Sequence, residues 1–319
     1  MPLDPQAAAL IDQARRDGAL PVAELTVAQA RAAGFDELAQ AGTPEAVFSV
    51  TDRYIPGPTA DLHVRIYRPA PNGPLPAVIY LHGSGWVVGT IDNADTAVRA
   101  FANRSGCVFV AVNYQKAPEH PYPAALDDTY ATVEWLHANA AALGIDPARI
   151  GVAGDSAGGN LAAAVTLRAR DQQGPAIAHQ LLIYPALDCA FDTPSYRENA
   201  TGYLLERDDM RWFYRHYLPD PALADDPLVS PLRASDLSRL PRALVITAEF
   251  DPLRDDGERY AERLREAGVQ ARLTRYDGMI HGFAFMSGVL ARTQELFAEV
   301  GAELRDTFAM PRPRRPAAP

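Results

Sequence analysis

Gly154-Asp155-Ser156-Ala157-Gly158 lies between a short apolar run, Ile150 to Ala153, and a stretch from Ala157 to Arg168 that is small and apolar nearly all round. The first segment reads as a buried strand, and the second as a helix wedged against a sheet. A G-x-S-x-G pattern at a strand-to-helix junction is a nucleophile elbow. The turn is so tight that its flanking residues must be small. The serine hydroxyl is thereby raised above the sheet, with the N-terminus of the following helix beneath it. Residue usage alone produces the bare pattern in roughly one chain in ten of this size, so the strand-to-helix setting is what gives it meaning.

Working outward, further short β-branched or apolar runs occur at Leu62 to Tyr67, Ala77 to Leu81, Val108 to Tyr114, Leu181 to Tyr184, Ala243 to Ala248 and Ala271 to Tyr276, with an early one near Val47 to Val50. Helical patterns separate them. The clearest is Asp255 to Ala267, with Tyr260, Leu264 and Ala267 on one face and Gly268 as its stop. Such alternation predicts an α/β fold, a mainly parallel sheet flanked by helices. Two stretches interrupt it: Pro5 to Gln40, which reads as Ala-rich amphipathic helix, and Ser195 to Leu218, rich in aromatic residues. Two readings fit them: a cap over the active edge of the sheet, drawn from about residues 1–45 and 190–225, or elements that pack on the surface and complete the core. No internal repeat occurs, and the Pro/Arg/Ala tail at residues 310–319 predicts disorder.

A serine hydroxyl is a weak nucleophile at neutral pH and needs a histidine base held in one tautomer by a carboxylate. After an elbow of this kind the chain order is Ser, acid, His. His281 follows the last predicted strand by five residues, which places it on a loop at a carboxyl edge, where α/β sheets keep their sites. Asp251, three residues beyond the strand ending at Ala248, is the expected orienting carboxylate. Its rivals are Glu249, at the strand terminus, and Asp255 and Asp256, which suit the acidic first turn of the next helix. A carbonyl under attack also needs backbone N–H donors for its oxyanion. The Gly-rich loop His82-Gly83-Ser84-Gly85-Trp86, after the strand Ala77 to Leu81, supplies them. The expected donors are Gly83, Ser84 and Ala157.

Other chemistries find little support. Of 319 residues, 48% are hydrophobic and 22% charged, which suits a chain that buries a large core, and the expectation is one domain over residues 1–319. The net charge of -10 comes without any basic block, which argues against a nucleic-acid partner. No apolar run reaches the 18 or more residues that span a bilayer. Asp4, Asp12 and Arg15 to Asp17 break the apolar centre that a signal peptide requires, so a cytoplasmic protein with no membrane partner is expected. Cys107 and Cys189 form no pairing pattern and read as reduced thiols. The seven histidines include no H-E-x-x-H pair, so hydrolysis without metal or cofactor is expected.

With its His82-Gly83-Ser84-Gly85 loop, its Gly154 to Asn160 elbow, its Asp251-Pro252-Leu253-Arg254-Asp255 acid segment and its His281-Gly282-Phe283 base segment, the chain resembles the bacterial hormone-sensitive-lipase-like (family IV) esterases. The segment Asn113 to Ala125 and the pair Tyr184-Pro185 add to the likeness, which spans nearly the whole chain. The resemblance implies an α/β-hydrolase fold with an eight-stranded sheet and a helical cap. It also implies cofactor-free hydrolysis of small esters with short to medium acyl chains, and frequent homodimers through the last strand. One departure stands out: Ser84 occupies the place of the family's second glycine, where a side chain narrows the hole or demands a different φ. Trp86, Tyr203, Leu204, Trp212, Phe213 and Phe283 are the candidates for substrate contact. An amidase or peptidase with the same triad is the nearest alternative. A non-catalytic binding protein on the same fold is a further one, although such proteins typically lose the base histidine that is present here.

Overall fold

The computed structural model describes residues 2–310; the expectation of a disordered tail falls, beyond Met310, outside them. Eight strands form one sheet: β1 (Ser49–Ile55), β2 (Leu62–Arg68), β3 (Leu75–Leu81), β4 (Val108–Val112), β5 (Ile145–Asp155), β6 (His179–Ile183), β7 (Arg242–Phe250) and β8 (Ala271–Ile280). Their spatial order is β1-β2-β4-β3-β5-β6-β7-β8. Strand β2 runs antiparallel to both its neighbours, and every other pairing is parallel.

The helices are α1 (Pro5–Arg16), α2 (Val27–Asp36), α3 (Ile91–Ser105), α4 (Ala124–Asn139), α5 (Ala157–Asp171), α6 (Pro194–Glu198), α7 (Arg207–Tyr217), α8 (Arg254–Glu266) and α9 (Arg292–Thr307). Among the described residues none is long and apolar enough to cross a membrane. Because successive strand residues face opposite sides, β3 feeds two cores. Ile79 and Leu81 pack with Leu136, Leu161 and Leu264 of α4, α5 and α8. Val78 and Tyr80 pack with Phe101 and Phe297 of α3 and α9. Central strands coated on both faces must be continuously apolar, and all five residues of β4 are buried.

Several boundaries differ from the sequence expectation. The early strand begins at Ser49 instead of Val47 and extends to Ile55, because its partner β2 holds Ile55 opposite Leu62. Strand β8 extends past Tyr276 to Ile280, and β7 past Ala248 to Phe250, through an irregularity in their shared ladder that pairs Phe250 with Ile280. The N-terminal stretch is two helices. Gly18, with φ +69°, ends the first run, and Pro21 precedes a short 3-10 turn at Val22–Glu24. The central stretch is likewise split into α6 and α7 around Gly202 (φ +90°) and Leu204 (φ +71°).

The two interrupting stretches touch each other and the sheet's carboxyl edge. Ala23 donates its N–H to Asp209 Oδ1 of α7 at 2.8 Å. Arg31 of α2 donates to the carbonyls of Val87 and Ala117, each at 3.0 Å, and forms an ion pair with Glu119. These ties hold the N-terminal segment beside the loop that follows β3.

Candidate active site

Four strand ends converge at the carboxyl edge, as expected for a parallel sheet. β5 ends at Asp155, and Ser156 adopts φ 52°, ψ -119°, a conformation that costs energy for a residue with a Cβ and is held here by its surroundings. Ser156 N–H donates to Ile183 O at 2.9 Å, while its carbonyl accepts from Asn160 N at 3.0 Å and Ala186 N at 3.2 Å. The turn has no room for larger flanks: a Cβ on Gly154 would lie 2.2 Å from Gly158 O, and one on Gly158 would lie 1.9 Å from Leu81 O. Asn160 extends this bracing, with Nδ2 donating to the carbonyls of Ala186 and Val229, each at 2.8 Å.

The candidate acid and base are neighbours in register. Phe250 and Ile280 are partners in the β7–β8 ladder, so Asp251 and His281, the residues that follow them, emerge side by side. His281 Nδ1 lies 2.7 Å from Asp251 Oδ2, and His281 Nε2 lies 3.0 Å from Ser156 Oγ. Asp251 is fully buried, and its Oδ1 accepts the Leu253 N–H at 2.8 Å. With Oδ1 so occupied, Oδ2 is aimed at the imidazole. A carboxylate there favours the tautomer with hydrogen on Nδ1, leaving Nε2 to accept from the serine. His281 follows the strand directly instead of lying five residues into a loop, because β8 is longer than its β-branched core suggested.

The rival carboxylates have other partners. Glu249 accepts the Gly278 N–H at 2.7 Å and so pins β7 to β8. Asp255 accepts the Ser195 N–H at 2.9 Å and joins α8 to the start of α6. Asp256 is buried, accepts the N–H groups of Leu187 and Asp188 at 3.3 Å each, and is pushed well above the usual carboxylate range by burial.

The loop after β3 departs from expectation at one residue. Gly83 N–H is committed to Asp155 Oδ1 at 2.9 Å, so it is not free to receive an oxyanion. The next two N–H groups, those of Ser84 and Gly85, have no protein acceptor among the described residues, and neither has that of Ala157 at the start of α5. The available set is therefore Ser84, Gly85 and Ala157. Ser84 has φ +78°, and Gly85 and Trp86 follow at +61° and +62°. Ser84 thus takes up the left-handed backbone that a glycine would accept freely. Its hydroxyl lies against Gly89, in the space a Cβ there would need.

This curled loop is braced from outside. The Tyr114 hydroxyl donates to the carbonyls of His82, at 2.8 Å, and Gly83, at 3.2 Å, and its ring stacks on His82 at 4.4 Å. Burial pulls the His82 imidazole down to about 3, so it is neutral. Lys116, over the Tyr114 ring, is brought down to about 8 by burial.

The pocket candidates separate. Phe213 of α7 lies directly on Gly85, with ring carbons 2.0 to 2.4 Å from where a Cβ would stand, and so covers the donor loop. Trp86 is fully buried and stacks on Tyr217 at 4.3 Å, so it anchors α7 instead of lining an open site. Phe283 is also fully buried, edge-on to Tyr184. Trp212 packs against Phe213 and His216. Tyr203 packs on Phe250, next to Asp251, and also lines a cavity of about 190 Å³ against α1. Leu204 is exposed. The Tyr184 ring lies 4.5 Å from the His281 ring, a contact not anticipated from sequence. The two cysteines are free thiols, and no group of three or more His, Cys, Asp or Glu among the described residues is arranged to hold a metal ion.

Comparison with known proteins agrees with this geometry. A family model described as the alpha/beta hydrolase fold matches residues 78–285. Carboxylesterase NlhH of Mycobacterium tuberculosis is 44% identical over 239 residues, which is 74% of this chain and 75% of that protein. Among solved structures, an ester hydrolase from the metagenome of Lake Arreo, complexed with a derivative of bipyridine phosphonate, has a TM-score of 0.93 and 38% identity, covering 97% of this chain and 100% of that one. A hyperthermophilic esterase from the archaeon Pyrobaculum calidifontis has a TM-score of 0.92 and 40% identity, covering 97% and 99% respectively.

Proposed function

Since the chain belongs to the α/β-hydrolase family, in its hormone-sensitive-lipase-like branch, and is a carboxylic-ester hydrolase, we propose that it acts through an acyl-enzyme on Ser156. The observation that carries the reading is the unbroken relay Asp251–His281–Ser156, at 2.7 and 3.0 Å, with its serine on a strained elbow.

His281 Nε2 takes the Ser156 proton as Oγ attacks the ester carbonyl, and the carbonyl electron pair moves onto oxygen. That oxyanion is received by the N–H groups of Ser84, Gly85 and Ala157. The tetrahedral species collapses, and the leaving alcohol takes its proton from His281. Water, deprotonated by the same histidine, attacks the acyl-enzyme and releases the acid. Asp251 stays ionised throughout and stabilises the imidazolium. No step requires a metal or cofactor.

The proposed substrates are small esters with short to medium acyl chains. Phe213 supports this by covering the donor loop from α7, and the family resemblance points the same way. Initial rates on p-nitrophenyl esters from acetate to palmitate, with Ser156→Ala and an amide analogue of the best ester as controls, test it. Fast cleavage at short or medium chains, abolished in the variant and weak on the amide, is expected. Faster turnover of the amide would make the enzyme an amidase, and no ester turnover by folded protein would favour a binding role. We further propose a cytoplasmic location and a homodimer paired along β8, which ends the sheet with one edge open. Light scattering checks the dimer.

A further inference from the structure

We infer that Asp155 is the positioning residue of the oxyanion hole: one carboxylate oxygen, by capturing the Gly83 N–H, sets the orientation in which the next two N–H groups are left for the substrate. This rests on the esterase reading above and adds a residue for which the triad mechanism has no use.

Asp155 is nearly fully buried, and its Oδ1 accepts two hydrogen bonds, from Gly83 N at 2.9 Å and from the Tyr80 hydroxyl at 2.8 Å. Its Oδ2 stands 2.2 Å from where a Cβ on Gly83 would lie, so the carboxylate fits against the loop only because that residue is glycine. The donor loop needs such an anchor. Ser84, Gly85 and Trp86 all have left-handed φ, and a loop of that kind has no ladder of its own to fix the direction of its N–H groups.

The anchor is also well placed in the chain. Asp155 directly precedes Ser156, so the residue that ends β5 ties the nucleophile's turn to the loop that follows β3. Nucleophile and oxyanion donors come from different strands and must agree to within about half an ångström; a single side chain between them enforces that register. Tyr80, a residue of β3 itself, closes the link from the other side.

Burial pushes the Asp155 carboxyl up to about 7. A protonated carboxyl still offers an oxygen to Gly83, and a neutral acceptor opposes the nearby developing oxyanion less than a full negative charge would. What Gly83 and Tyr80 require is the acceptor oxygen, which an amide also offers, so asparagine should replace it.

The test compares Asp155→Ala, Asp155→Asn and Tyr80→Phe on p-nitrophenyl butyrate, and measures the affinity of each for an aryl trifluoromethyl ketone, whose serine adduct places an oxyanion in the hole. Asp155→Ala should lower kcat by about 30- to 300-fold with KM within about threefold, and weaken the ketone by a similar factor. Asp155→Asn should stay within about fivefold of the parent, and Tyr80→Phe should lose a few-fold. Three results would each overturn the inference: kcat of Asp155→Ala within threefold of the parent, a loss that falls on KM while ketone affinity is kept, or Asp155→Asn as impaired as Asp155→Ala. If the alanine variant does not fold, the asparagine and phenylalanine variants decide: a folded Asp155→Asn with kcat down more than tenfold overturns it, and near-parent kcat with a few-fold loss in Tyr80→Phe upholds it. A parent enzyme inactive on every ester would instead remove the esterase reading, independently of Asp155.

Discussion

The elbow at residues 154–158 and the donor loop at residues 82–86 are both Gly-rich turns at the carboxyl ends of neighbouring strands, and both force a serine to positive φ, 52° at Ser156 and 78° at Ser84. They hold that strain by different means. The elbow is squeezed by backbone: Gly154 against Gly158 O, and Gly158 against Leu81 O. The donor loop is held by side chains distant in sequence: Tyr114 on its carbonyls, Asp155 on one N–H and Phe213 on Gly85. Backbone cannot yield without moving the strands, whereas a side chain can rotate away. The elbow should therefore be brittle and the loop tunable.

Ser156→Ala removes the reacting atom and should lower kcat by about 10⁴-fold or more; near-parent ester hydrolysis by the purified variant would exclude Ser156 as the nucleophile. Asp251→Asn keeps the shape but favours the wrong imidazole tautomer, and should reduce kcat about 10³- to 10⁴-fold with little change in KM. Steady-state kinetics with a folding control separates this from general damage.

The comparison itself is broken or sharpened by two matched substitutions. Gly158→Ala drives a Cβ into the Leu81 carbonyl and should cost about 3 kcal/mol or more in a urea titration, or prevent folding. Gly85→Ala meets first the Phe213 ring, a side chain, besides its φ of +61°. It should fold with roughly a tenfold loss in kcat, and Phe213→Ala in the same chain should restore part of it. Equal damage at the two glycines would show that the loop is as rigid as the elbow.

Ser84→Gly relieves a left-handed side chain while loosening the unfolded chain, and these effects nearly cancel. Stability should shift by less than about 1 kcal/mol, and kcat by less than about threefold because the donated N–H is retained. A large loss of turnover would give the Ser84 hydroxyl a direct role.

The smallest effect concerns pH. Burial raises the Asp155 carboxyl from 3.8 to about 7. Between those values the folded state holds a proton that the unfolded state has released, so this residue's contribution to stability is fully present below about 4 and is lost as pH rises through 7. Asp155→Asn lacks that loss. Its melting temperature relative to the parent should rise from pH 4 to pH 7, and a constant difference would mean that Asp155 is ionised in the fold.

The convergence of Ser156, Asp251 and His281 was legible because each sits at the end of a strong strand signal and the chain order expected of a triad is restricted. What escaped was the ladder. Strands β7 and β8 extend past their β-branched cores to Phe250 and Ile280, and that added pairing, invisible to local propensity, sets Asp251 beside His281. The Gly83 assignment failed for a related reason: three consecutive N–H groups are equivalent in sequence, and only Asp155, more than 70 positions away, removes the first of them. The aromatic candidates were the least legible. Trp86 and Phe283 read like pocket residues but are buried, the first stacked on Tyr217 and the second edge-on to Tyr184, since hydrophobicity alone does not distinguish packing from recognition.

By itself, the sequence pointed to the sheet and to the three residues proposed as nucleophile, base and acid, because those depend on local period, small residues in tight turns and chain order. The tertiary structure decided which N–H groups of the loop stay unpaired and which aromatic ring covers them, because both depend on partners brought together from strands and helices far apart in the chain.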